Sequence, residues 1–143
     1  MNEYEELTTR QQKEVNDFPC FFAFNMQQFE EGMKSLGLKK TDTKLIYKAP
    51  GGMFYKKEDS PKLKELLDRH DRERKEAIAA DTTGDGYIYE MFKTELANHE
   101  FGYTRELEET LSFIGLTLAA VKKNEALTNG LRKALKKYRC DIW

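Results

Sequence analysis

The sequence predicts a single α+β domain, predominantly helical, in which four to six helices cover a small antiparallel sheet of about three strands. Three observations predict it. FPCFFAFN, Phe18 to Asn25, is a dense apolar and aromatic run that reads as a buried strand. TKLIYKAPGGMFYKKED places two further β-prone segments on either side of Ala-Pro-Gly-Gly. Most of the remaining chain repeats apolar residues at helical spacing. A length of 143 residues suits one domain, because single cores are typical at ~100 to 150 residues. With 39% hydrophobic and 12% aromatic residues there is enough to fill a core, so the 34% that are charged belong to a solvated surface and not to disorder.

The elements follow in order. Residues 3 to 16 have helix-forming composition with a thin apolar stripe of Tyr4, Leu7 and Val15, and Pro19 stops the helix. After the Phe18 to Asn25 strand, Asn25 caps a helix whose Met26, Phe29 and Met33 share one face, and Gly37 closes it. Leu45 to Lys48 and Met53 to Lys56 form a hairpin, proline presetting the first turn angle and glycine accepting positive φ. Ser60 and Pro61 open a long helix to about Ala80. Its stretch from Lys62 to Glu76 holds eleven charged residues of fifteen in alternating sign, the pattern of a solvated face, while His70 falls on its apolar stripe. A helix from Tyr87 to Phe101 is expected to break at Gly102. Thr104 then caps a helix through Ile114 that ends at Gly115, and Leu118 to Tyr138 is helical with an interruption near Asn124.

Charge and sulfur content narrow the function. Lysine plus arginine total 24 against 25 acidic residues, a net charge of −1, so there is no global pull toward nucleic acid or anionic membrane, and either partner would need a local patch. Nucleic acid and membrane are therefore not expected partners. Cys20 and Cys140 are too few for a zinc site, and Cys20, read as buried without a basic neighbour, is inert. The polar, acidic N-terminus is unlike an export signal, and no apolar run reaches the ~18 to 20 residues of a bilayer span. A cytoplasmic, reducing location is the expectation.

DTTGDGYIYEMF, Asp81 to Phe92, begins like a calcium loop. Asp81, Thr83 and Asp85 occupy the first three ligand positions and Gly86 the sharp turn. The closing position, which needs a bidentate glutamate, is Phe92, and Glu90 stands two residues too early. Asp81, Thr83 and Asp85 are thus metal candidates for calcium in a degenerate loop; no other cofactor is expected. The same letters serve a metal-free joint in which Asp85 caps the next helix and Ile88, Phe92 and Leu96 enter the core.

Other constellations are thinner. Glu95 and His99 lie four apart on one helical face and are the catalytic candidates, as an acid and base pair. Local hydrogen bonding near a helix end competes with that reading. Glu109 to Leu127 partly resembles a DNA-binding helix-turn-helix, yet Leu111 and Asn124 stand against its pattern, and Lys122 with Lys123 is a meagre basic supply. No phosphate loop or nucleophile elbow is present. The basic stretch LRKALKKYRC and the terminus behind it supply candidate binding-surface residues Lys133, Lys136, Lys137, Arg139 and Trp143, although such charge also complements a helix C-terminus. A binding protein without turnover is the leading expectation, ahead of a divalent-metal module, an enzyme and a DNA-binding protein.

FFAFNMQQFEEGMKSLGL, GGMFYKKED and MFKTELANHEFGYTRELEETLSFIGLTL resemble a family of small uncharacterised proteins from phages and mobile elements of gut Firmicutes. The resemblance covers most of the chain and attaches no chemistry to any residue. It implies a small non-enzymatic protein that binds a host or phage protein, such as a CRISPR effector or another immune protein, or a small signalling nucleotide. An inhibitor of host defence of that kind exposes an apolar or aromatic patch or a complementary charged face, and is often a homo-oligomer.

Overall fold

Alternation of side chains along three short strands builds the sheet. β1 (Cys20–Phe22), β2 (Ile46–Ala49) and β3 (Met53–Lys56) are antiparallel in the order β1-β3-β2, with Phe21 opposite Phe54 and Tyr47 opposite Tyr55. The computed structural model describes residues 1–142. Pro50, Gly51 and Gly52 turn the hairpin, and both glycines take positive φ, 85° and 81°, where any Cβ is strained.

The first strand is shorter than the expected Phe18 to Asn25. Pro19 has no N–H to give a ladder, and the Phe24 N–H donates to the Gln28 side chain at 2.8 Å, so the chain turns into a helix instead of continuing the sheet. That helix, α2 (Met26–Ser35), is capped by Asn25, whose side chain accepts from the Gln28 N–H. It covers one face of the sheet. Met33 is fully buried there with Phe21, Ala23 and Ile46, and Phe29, Leu36, Leu38 and Phe54 pack around them. The Phe21 and Phe54 rings stack at 5.2 Å, and Phe29 meets both edge-on. Successive residues of a strand point to opposite faces. The other face of the sheet therefore carries Cys20, Phe22, Tyr47, Ala49, Met53 and Tyr55.

Two compact units form: Thr9–Arg72, which contains the sheet, and Met1–Thr8 with Glu73 onwards. The boundaries fall within the helices α1 (Glu3–Asn16) and α3 (Ser60–Ala80). The second unit is helical, with α4 (Tyr87–Asn98), α5 (Phe101–Thr104), α6 (Leu107–Ile114), α7 (Leu118–Lys122) and α8 (Glu125–Leu135). Its core joins Tyr87, Ile88, Met91, Phe92 and Leu96 of α4 to Leu127, Leu131, Ala134 and Leu135 of α8, with Tyr4, Phe101, Leu111 and Val121.

The helix expected from Tyr87 to Phe101 ends at Asn98. Glu100 takes left-handed angles, φ 54°, and this reversal sends Phe101 into the core, where its ring meets Tyr138 edge-on at 5.1 Å. Gly102 lies inside α5 and does not break a helix. Gly115 ends α6 and Asn124 caps α8, as their residue types imply. Among the described residues no helix is long and apolar enough to cross a membrane.

Candidate functional site

Asp81 organises the loop between α3 and α4. Its Oδ1 accepts the Gly84 N–H at 2.9 Å and the Thr83 hydroxyl at 3.3 Å; its Oδ2 accepts the N–H groups of Gly86 at 3.1 Å and Ile88 at 3.0 Å. Burial pushes the Asp81 carboxyl up, but the donors from Ile88, Gly84 and Gly86 together outweigh it and hold the carboxyl below its ordinary value. Gly86 stands at the cap position of α4, and the carboxylate that meets the helix N-terminus is therefore Asp81 and not the expected Asp85. Asp85 turns outward, accepting from Asn129 at 3.0 Å with the Lys133 ammonium 3.7 Å away. Thr83 gives its hydroxyl to Asp81, takes the Asp85 N–H, and offers its carbonyl to Asn129. Phe92, at the closing position of the loop pattern, is fully buried.

Glycine lets this loop approach α8. A Cβ at Gly84 (φ 84°) falls 2.0 Å from the Ala126 carbonyl oxygen, and one at Gly130 falls 2.4 Å from Ile88 Cγ2 and 2.8 Å from the Gly84 oxygen. The two backbones meet where no side chain fits.

Glu95 and His99 have separate surroundings. Glu95 is buried, with its carboxylate accepting from the Tyr4 hydroxyl at 3.0 Å and from Asn98 at 2.7 Å. Burial, reinforced by the Glu95 charge, holds the Tyr4 hydroxyl far above its ordinary value, so it stays a donor. His99 caps the end of α4; its Nδ1 lies 3.6 Å from Glu109 Oε1 and its ring 4.8 Å from Phe113.

In the basic stretch, Lys133 lies 4.6 Å over the Tyr89 ring and Lys137 5.0 Å over Tyr138, while Lys136 and Arg139 are exposed in a closing 3-10 turn and its left-handed cap. Trp143 lies outside the described residues. The helix-turn-helix resemblance meets an α7 of five residues, little more than one turn.

The exposed aromatic residues of the sheet unit form two surfaces that the sequence reading did not single out. Beside the hairpin turn lies an open cleft of about 560 Å³ lined by Phe24, Met26, Phe29, Phe54, Lys48 and the turn itself. Phe24 is 78% exposed, although it was expected in a buried strand, and Met26, expected on one helix face with Phe29 and Met33, is 68% exposed. On the sheet face away from α2, Phe22 and Tyr47 are exposed and Cys20, Met53 and Tyr55 half-buried. Cys20 is thus not fully buried as expected, although burial still pushes its thiol up. A strict period-two reading of Phe21, Phe22, Ala23 and Phe24 was the available signal for these outward rings.

Among the described residues neither surface carries a phosphate cradle or a set of metal ligands; both offer rings, with Lys48 at the cleft and Lys57 over Tyr47 on the other face. No curated protein and no solved structure matches the chain. Residues 3–137 do match a family model that spans almost the whole fold just described, and the chain belongs to that family of unknown function, DUF7659.

Proposed function

We propose that this chain is a non-enzymatic binding protein that seats a protein partner in the cleft beside the hairpin turn. The observation that carries the reading is the cleft lined by Phe24, Met26, Phe29 and Phe54. Two large apolar side chains stand mostly in water there, and apolar exposure concentrated at one place is the usual mark of an interaction site. The Lys48 ammonium, 5.8 Å over the Phe54 ring, gives the rim a positive charge suited to a carboxylate on the partner. Glu95 supports the absence of turnover, since its carboxylate is engaged by Tyr4 and Asn98. With the phage and mobile-element context that the sequence resemblance implies, the partner is a host component, and inhibition of host defence is the role. A signalling nucleotide fits less well, because among the described residues Lys48 is the one cation lining the cleft and no phosphate loop adjoins it.

The test is capture from a nuclease-treated bacterial lysate by the immobilised full chain, identified by mass spectrometry, beside a Phe24→Ala/Met26→Ala variant. A protein held by the wild type and lost from the variant is the expected result. Equal retention by both, or none by either at micromolar bait, overturns the reading. Both side chains are exposed, so the variant folds, as circular dichroism checks.

A further inference from the structure

We propose that Glu14 and His70 of the sheet unit, with Glu73 one turn further along α3, bind a divalent transition-metal ion of the zinc class. His70 is the observation that points to a ligand. Its side chain is 3% exposed, yet its Nε2 has no hydrogen-bond partner among the described residues. A buried ring nitrogen left alone is costly, and this one stands 3.6 Å from Glu14 Oε2.

That distance chooses among the ways of joining the two atoms. It exceeds the ~2.7 to 2.9 Å of a charge-assisted hydrogen bond, so an imidazolium facing Glu14 leaves the gap unclosed. A bridging water, about 2.8 Å from each partner at a tetrahedral angle, holds them ~4.6 Å apart. A tetrahedral metal with ligands at ~2.1 Å holds neighbouring ligand atoms ~3.4 Å apart. The observed 3.6 Å fits the metal best.

The helices hold these groups in place. Gln11, one turn before Glu14 on α1, is buried and gives its side-chain N–H to the His70 carbonyl at 3.0 Å, which pins α1 against α3. His70 and Glu73 lie three apart on α3 and share a helix face, so a second carboxylate stands beside the ring. Arg69 and Arg10 donate to Glu14 and keep it ionised, as ligation requires, and ligating carboxylates are commonly hydrogen-bonded from outside in this way. The two arginine side chains are 39% and 46% exposed, so each can turn toward water as a cation arrives. One imidazole with two carboxylates selects a zinc-class ion over calcium or magnesium, which take oxygen ligands. Glu14 is half-buried and opens the site to solvent, which supplies the fourth ligand.

Calorimetric titration of the full, chelator-washed chain with zinc chloride tests the proposal, together with melting temperature in zinc and then in excess EDTA. One equivalent bound at micromolar concentration is expected, with a rise in melting temperature that EDTA reverses. Glu14→Gln and Glu73→Gln each weaken binding at least about tenfold, and His70→Gln abolishes it. Circular dichroism checks that each variant folds; Glu14→Gln, isosteric and half-buried, decides the matter if the His70 variant does not. Cys20→Ser/Cys140→Ser and Asp81→Ala leave binding unchanged, which separates this site from the thiols and from the loop before α4. Absence of a one-to-one isotherm, binding that survives Glu14→Gln undiminished, or binding lost in the cysteine variant overturns the proposal.

Discussion

One carboxylate does more for the helical unit than any of its neighbours in sequence. Asp81 accepts four donors at 2.9 to 3.3 Å, and hydrogen bonds to a charged acceptor outweigh neutral ones. Asp81→Ala is expected to lower unfolding free energy by about 2 kcal/mol, and Asp81→Asn by less, because its amide oxygen still accepts; urea denaturation measures both. The oxygens that a calcium ion would use are the ones holding the backbone. Calorimetric titration of the wild type at millimolar calcium is expected to show no heat. Heat that vanishes in Asp81→Ala restores the metal reading.

Glu14 in the sheet unit gives a pH dependence of known sign. The Arg69 hydrogen bond, then Arg10 at 2.6 Å, hold its carboxyl at about 2 against an ordinary 4.5. A carboxyl lowered on folding stabilises above its unfolded value and loses that contribution as pH falls through its folded value. Part of the stability at neutral pH should therefore disappear between 4.5 and about 2, and Glu14→Gln should flatten that part of the melting-temperature profile.

At the scale of elements, legibility followed how local the determining physics is. Asn25, Asn124 and Gly115 act through bonds a few residues away, and the caps they predict are present. The hairpin and the 60–80 helix were readable for the same reason. The end of α4 was not, because it depends on Phe101 finding a core site beside Tyr138, a partner distant in sequence. Nor were the exposed aromatic surfaces: Phe22, Phe24 and Met26 look like core by residue type, and only the position of α2 on one face of the sheet decides which rings remain outside. Gly130 is the clearest reversal. Helix propensity alone makes Gly130→Ala stabilising by about 1 kcal/mol, but its Cβ would stand 2.4 Å from Ile88 Cγ2 and 2.8 Å from the Gly84 oxygen. Overpacking at a backbone contact should reverse the sign, for a net loss of about 2 kcal/mol in thermal or urea unfolding. A stabilised Gly130→Ala would mean that the loop and α8 separate easily.

Across the whole molecule, charge is segregated along the chain while its total is nearly neutral. With a net charge of −1 and an isoelectric point near 6.2, the protein at pH 7 has no overall affinity for a phosphate-bearing resin. Residues 38–57, with six lysines against Asp42, concentrate cations on the sheet unit. Lys48 and Lys57 have no carboxylate partner there among the described residues, while Lys40 pairs with Glu30 and Lys56 with Glu58, and such local charge acts within the screening length of about 10 Å. Retention on phosphocellulose at low salt and pH 7 is expected, released as salt rises. Lys48→Glu/Lys57→Glu should abolish it. Lys136→Glu/Lys137→Glu changes net charge by the same amount in the C-terminal basic stretch and should leave retention largely intact. The paired variants separate a sheet-borne patch from total charge: equal loss in both would assign retention to net charge alone, and loss only in the second would move the anion-binding surface to the basic stretch.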